Sequence, residues 1–158
     1  MIEWKQERII KASIENVWSL FQADQLQRIM PKVTKHELVE HVEGEVGTKY
    51  EQSYKEGKRQ ETYIVETLAY EDKPDYKHQH VFFVLGKAFE IHTDYQLEKV
   101  DEHQTRFIYK GQNKGSNFVG RAMLKLAGRK GQKGQAQVVT DFMDRVEEEA
   151  VKNEEEAS

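Results

Sequence analysis

From Lys32 to Lys110 the sequence keeps alternating apolar and polar residues, and this pattern commits half of the chain to sheet. A period of two puts successive side chains on opposite faces, so each run can bury one face and wet the other. Six runs are expected, over residues 34–42, 48–56, 60–70, 75–85, 88–99 and 104–110. A seventh, over residues 3–11, precedes them, with Trp4, Ile9 and Ile10 as its apolar members. The chain has two prolines, Pro31 and Pro74, and both fall at joints between runs. Proline cannot donate to a strand ladder, so this placement leaves the runs intact.

Short helical signals separate the first two runs. Ser13 can accept hydrogen bonds from the free amides of a helix start, and Glu15 suits the positive end of its dipole. Val17, Trp18, Leu20 and Phe21 supply the buried stripe. Asp24 is placed to cap a second short helix bearing Leu26, Ile29 and Met30, which Pro31 ends. After Gly115 the period lengthens to that of a helix, with Phe118, Val119, Met123, Leu124, Leu126 and Ala127, then Val138, Val139, Phe142, Met143 and Val146. Gly128, Gly131 and Gly134 lie between these halves. Each costs about 1 kcal/mol against alanine inside a helix, so either the helix breaks there or a small-residue face is being used.

Taken together, the segment Lys11-Ala12-Ser13-Ile14-Glu15-Asn16-Val17-Trp18, the Pro31 stop, the Gly44-Glu45-Val46-Gly47-Thr48 turn, the strand-rich middle and the long last helix resemble the START-like, polyketide cyclase/dehydrase superfamily. The resemblance covers roughly residues 2–151. It implies an α+β helix-grip fold: a seven-stranded curved antiparallel sheet around a long C-terminal helix, with two short helices between strands one and two. It also implies a cavity between sheet and helix. It implies no catalytic residue, because the superfamily has no universal one. The expected organisation is one domain over residues 1–152 and an acidic tail, 153–158, that frays.

Composition narrows the function classes. The absence of cysteine removes disulfides, thiolate catalysis and cysteine metal sites. A net charge of −4 gives no global reason to expect nucleic acid as a partner. The first residues are charged rather than apolar, and no run approaches the roughly 20 apolar residues of a bilayer span. A cytoplasmic protein, monomeric or homodimeric, is the expectation. No cofactor or metal is expected, since a His-x-His pair needs a third ligand that nothing adjacent supplies.

Face assignments rest on two turns. Leu85-Gly86-Lys87-Ala88 can form a two-residue type II′ turn. If Leu85 pairs with Ala88, then His78, His80 and Phe82 share the inward face with Ile91, Thr93 and Tyr95. Val81, Phe83 and Leu85 then point outward as an apolar patch. Glu56-Gly57-Lys58-Arg59 likewise groups Tyr50, Gln52 and Tyr54 with Glu61, Tyr63 and Val65. His36, His41 and His103 read as surface. The candidate ligand-binding set is therefore His78, His80, Thr93, Tyr95, Tyr54, Tyr63, Phe82 and Ile91, joined by Phe118, Met123, Gly131 and Phe142 around a space beneath the three helical glycines. The expected partner is a small, largely apolar molecule, for transport, sequestration or sensing. An enzyme of cyclase, dehydratase or hydrolase type on the same cavity is the alternative, and a protein-interaction module is the third class.

One charge pattern stands apart. Lys110, Lys114, Arg121, Lys125, Arg129, Lys130 and Lys133 follow one another without an intervening acid, and Arg121, Lys125 and Arg129 would share one face of an unbroken helix. Such a stripe is either the solvated side of an amphipathic helix or a contact for anionic lipid, RNA or an acidic partner.

Overall fold

A computed structural model describes all 158 residues. Seven strands form one antiparallel sheet: β1 Ile2–Ile10, β2 Val33–Glu40, β3 Lys49–Glu56, β4 Arg59–Lys73, β5 Tyr76–Leu85, β6 Phe89–Asp101 and β7 Gln104–Gly115. Their order across the sheet is β1-β7-β6-β5-β4-β3-β2. Strands β2 to β7 are joined to their sheet neighbours by short connections, and β1 closes the order against β7. Two short helices, α1 Ile14–Trp18 and α2 Leu26–Ile29, fill the β1–β2 connection, and the long helix α3 runs Phe118–Ala157. This is the helix-grip architecture that the family resemblance implies.

Local chemistry explains most boundaries. Ser13 caps α1, its hydroxyl accepting from the Asn16 N–H at 3.2 Å. Asp24 does not cap α2; Gln25 holds the N-cap position with no side-chain bond. That helix is only four residues long and is held by Leu26 and Ile29, both buried. The core lies where α3 crosses the sheet: Val139, Met143, Val146 and Ala150 pack with Leu97, Phe107, Trp18 and Leu20. Full burial of side chains this size contributes about 1.5–3 kcal/mol each.

The end of α3 is tied down rather than frayed. Glu154 accepts from the Ser13 N–H at 2.7 Å and from the Asn16 amide at 2.8 Å, and Asn153 donates to the Asn16 carbonyl. Glu154 is thus a partner for the amides at the start of α1, while Glu155 and Glu156 stay exposed.

α3 breaks at one glycine of the three. Gly128 has φ 48° and ψ −133°, outside the helical region, whereas Gly131 and Gly134 stay helical. A limb of residues 118–127 therefore projects at its own angle from the rest of α3. Gly131 is used for close approach: a Cβ there would lie 2.8 Å from that of Ala127 and 3.4 Å from Ile2 Cδ1.

Candidate functional site

Two hairpins set the face of the sheet that meets α3. The β3–β4 hairpin pairs Glu56 with Arg59, which places Tyr54 opposite Glu61, Gln52 opposite Tyr63 and Tyr50 opposite Val65. All six line a cavity of about 780 Å³ between the sheet and α3. A volume of that size lies within the usual range of ligand sites.

The β5–β6 hairpin differs by one residue from the two-residue reading. The turn itself forms, with Gly86 and Lys87 at positive φ and the Ala88 N–H donating to Leu85 O at 3.2 Å. Yet Leu85 pairs with Phe89, and Ala88 is left over as a bulge. Its carbonyl accepts from the Ser116 N–H at 2.8 Å, and Gly120 packs against the same carbonyl. A one-residue slip exchanges the two faces of a strand. Hence Gln79, Val81, Phe83 and Leu85 line the cavity, and the expected apolar outer patch does not exist.

His78, His80 and Phe82 are consequently on the convex face, which corrects their assignment to the cavity. There they join His92 and Asp94: His78 Nε2 lies 2.7 Å from Asp94 Oδ2, His80 Nε2 lies 2.8 Å from His92 Nδ1, and Phe82 packs on His92 at 4.8 Å. Burial pushes the His80 imidazole below its ordinary pKa. His80 and His92 partner each other and His78 pairs with Asp94, and no group of three or more His, Asp or Glu side chains has an arrangement that would hold a metal ion.

Thr93, Tyr95, Ile91, Tyr54, Tyr63 and Phe142 all line the cavity. Phe118 and Met123 do not; both sit exposed on the limb. Gly131 packs toward Ile2 instead of roofing the space, so the volume is not beneath the three glycines. α3 lines it further on, with Val138 and Phe142 as its apolar members and Gln135, Asp141 and Arg145 as its polar ones.

The cavity floor is a row of residues facing one another across five strands: Trp4, Gly111, Thr93, Val81 and Thr67. Gly111 is the reason the row can exist. A Cβ at that position would collide with Trp4 Cζ2 and with the His92 carbonyl oxygen, so only glycine lets the indole lie across β7. Tyr95 and Tyr109 stack beside it at 5.3 Å, and Phe142 covers Tyr109 at 4.8 Å. Burial pushes the Tyr95 hydroxyl up to about 12 and raises that of Tyr109 as well, so both are neutral donors at ordinary pH. Three lining residues carry a buried polar atom that makes no well-formed hydrogen bond to protein: Trp4 Nε1, beside the Tyr109 hydroxyl, Thr93 Oγ1, beside the Tyr95 hydroxyl, and Asn113 Oδ1.

The opposite wall holds a polar chain that sequence reasoning missed. His36 Nδ1 lies 2.8 Å from Gln52 Oε1, and the Gln52 amide donates to the Tyr63 hydroxyl at 2.9 Å. His36 stacks on Tyr50 at 4.3 Å and Tyr63 on Phe83 at 4.5 Å. Burial lowers the His36 pKa and raises that of Tyr63. His36 reaches this wall because β2 shifts register between Val33 and Lys35, which puts residues three apart on one face. Nothing in the local alternation marks such a bulge.

Comparison with known proteins bears on this geometry. Residues 1–151 match the family described as polyketide cyclase/dehydrase and lipid transport. The chain belongs to that family. Its fold is shared by a START superfamily protein from Mycobacterium smegmatis, with a TM-score of 0.71, 10% identity and coverage of 95% of this chain and 97% of the other. It is shared too by a conserved protein from Geobacillus kaustophilus, with a TM-score of 0.70, 18% identity and 96% of each chain covered. A point mutant of norcoclaurine synthase from Thalictrum flavum, in complex with a transition-state analogue, aligns at a TM-score of 0.62 and 12% identity over 95% of this chain and 94% of that one. At such identities the likeness concerns the fold. No curated protein matches the sequence significantly. Family and fold together support a hydrophobic ligand-binding cavity, and no helix is long and apolar enough to cross a membrane.

Proposed function

We propose that the protein binds a small, mostly apolar molecule with one hydrogen-bonding end in the cavity between the sheet and α3, for transport, sequestration or sensing. The observation that carries this reading is the pairing of an aromatic-lined volume with three buried polar atoms along its lining that make no well-formed hydrogen bond to protein. An unpartnered buried polar group costs about 1–3 kcal/mol, so a ligand that supplies the missing partner recovers stability as binding energy. Tyr95, Tyr109 and Phe142 provide stacking surface for a flat or ring-shaped body.

Displacement of the fluorescent probe 1-aminoanthracene, with 2-naphthol and naphthalene as competitors, tests it. Val81→Trp, which fills the floor, should abolish probe binding while the fold persists by circular dichroism. Thr93→Val should weaken 2-naphthol about tenfold and leave naphthalene unchanged. A parent protein that binds no probe, or a Val81→Trp variant that binds it unchanged, defeats the proposal.

The enzyme alternative has one observation in its favour. His36, with Gln52 and Tyr63 behind it, is an imidazole on the cavity wall whose pKa is lowered by burial, which keeps it neutral and able to accept a proton. If turnover of an aromatic carbonyl compound is found, His36→Asn should remove it without affecting probe binding.

A further inference from the structure

The limb of α3 before the Gly128 break presents its apolar side to solvent. At about 100° per residue, Phe118, Ala122, Leu126, Val119 and Met123 fall on one arc of roughly 140°. Gly120 and Leu124, the two buried residues of the limb, occupy the next arc and face the body. Arg121 and Lys125 occupy the third. Phe118 is 78% exposed, Leu126 87%, Val119 60% and Met123 53%. A surface helix that buries glycine and leucine while exposing phenylalanine and leucine has an unpartnered apolar face.

Charge says what covers it. No acidic residue occurs from His103 to Thr140, although the whole chain carries −4. Arg106 pairs with Glu98, and Lys110 and Lys114 stand opposite Asp94 and Glu90 in the β6–β7 ladder, but Arg121, Lys125, Arg129, Lys130 and Lys133 are exposed and make no salt bridge. The break turns Arg129 off the Arg121–Lys125 face, so the basic residues do not form one stripe along the helix. The β5–β6 tip adds Lys87, whose carbonyl accepts from Ser116 and Asn117 beside the limb. A second copy of the same surface would bring like charges together, which disfavours self-association.

We propose that this limb is a docking surface for an anionic membrane, with Phe118, Val119, Met123 and Leu126 entering the headgroup region and the surrounding lysines and arginines meeting lipid phosphates. Apolar insertion and attraction to anionic lipid are the two terms that hold an interfacial helix. Each basic side chain near such a surface contributes on the order of a fivefold gain in partitioning. The inference is independent of what fills the cavity.

Flotation with vesicles of phosphatidylcholine alone and of phosphatidylcholine with 30% phosphatidylglycerol tests it, with the full chain in 0.1 M salt. The parent should bind the anionic vesicles at least tenfold better than the neutral ones and be released by 0.5 M salt. Phe118→Glu/Leu126→Glu and, separately, Lys125→Gln/Arg129→Gln/Lys130→Gln should each lower binding tenfold or more with unchanged melting temperature. Val81→Trp should bind vesicles like the parent, which separates this surface from the cavity. The proposal is overturned by equal binding to both vesicles, by no binding to either, by a concentration-dependent dimer that the Glu variant abolishes, or by capture of an RNA homopolymer without vesicle binding.

Discussion

Gly111→Ala probes the cavity floor most directly. The added Cβ would lie 2.7 Å from Trp4 Cε2, closer still to Trp4 Cζ2, and against the carbonyl oxygen of His92. The indole can move; the carbonyl cannot, because His92 is held in the ladder opposite both Gln112 and Phe82. Forcing a methyl into a packed site costs about 1–3 kcal/mol. Driving Trp4 away from Tyr109, whose ring centroid is 6.0 Å distant, forfeits an aromatic contact worth about 0.5–1.5 kcal/mol. The expected loss is therefore about 2–4 kcal/mol, a substantial part of the roughly 5–15 kcal/mol that holds a typical protein folded. Urea unfolding followed by circular dichroism and tryptophan emission measures it, and Trp4 emission should shift in the folded state. Trp4→Leu/Gly111→Ala separates the two contacts. It relieves only the indole clash, so it should remain at least about 1 kcal/mol less stable than Trp4→Leu alone. A loss below about 0.5 kcal/mol for Gly111→Ala, with unchanged emission, would refute the reasoning, since the strands would then have room for a Cβ.

Other consequences are equally open to measurement. Deleting Ala88 leaves Gly86-Lys87 as a two-residue loop between Leu85 and Phe89; the register should survive, at a cost of about 1 kcal/mol for the lost Ser116 bond, with faster amide exchange in residues 116–127. The Glu154 carboxyl is held down to about 2 by His103 first and then by Ser13 and Asn16. A depressed folded pKa stabilises above the unfolded carboxylate range and is lost as pH falls toward 2, so Glu154→Gln should cost about 1 kcal/mol at pH 7 and almost nothing at pH 2. Burial lowers His36 and His80, so their neutral forms favour the fold above the ordinary imidazole pKa and stability should decline as pH falls from 7 to 5; His36→Asn/His80→Asn should flatten that decline. Met143→Ala, at a fully buried position, should cost about 2–5 kcal/mol in urea unfolding.

What the sequence determined by itself is what depends on neighbours within a few residues. The period of two across residues 32–110, the Ser13 cap, the Pro31 stop and the change of period after Gly115 were enough for seven strands, two short helices and one long one. The β3–β4 register was also legible, because Glu56 and Arg59 flank a turn with no residue to spare. The tertiary structure decided the rest at single-residue insertions. Ala88 bulges because its carbonyl bonds the Ser116 amide and packs on Gly120, 28 and 32 residues away, and that contact turns His78, His80 and Phe82 outward. The β2 shift brings His36 into the cavity in the same manner. Likewise Gly128 alone breaks α3 while Gly131 stays helical against Ile2, a difference that three equally spaced glycines could not announce. Alternation fixes a strand's two faces but not which one is inward; that choice changes hands with every bulge, and bulges are set by contacts remote in sequence.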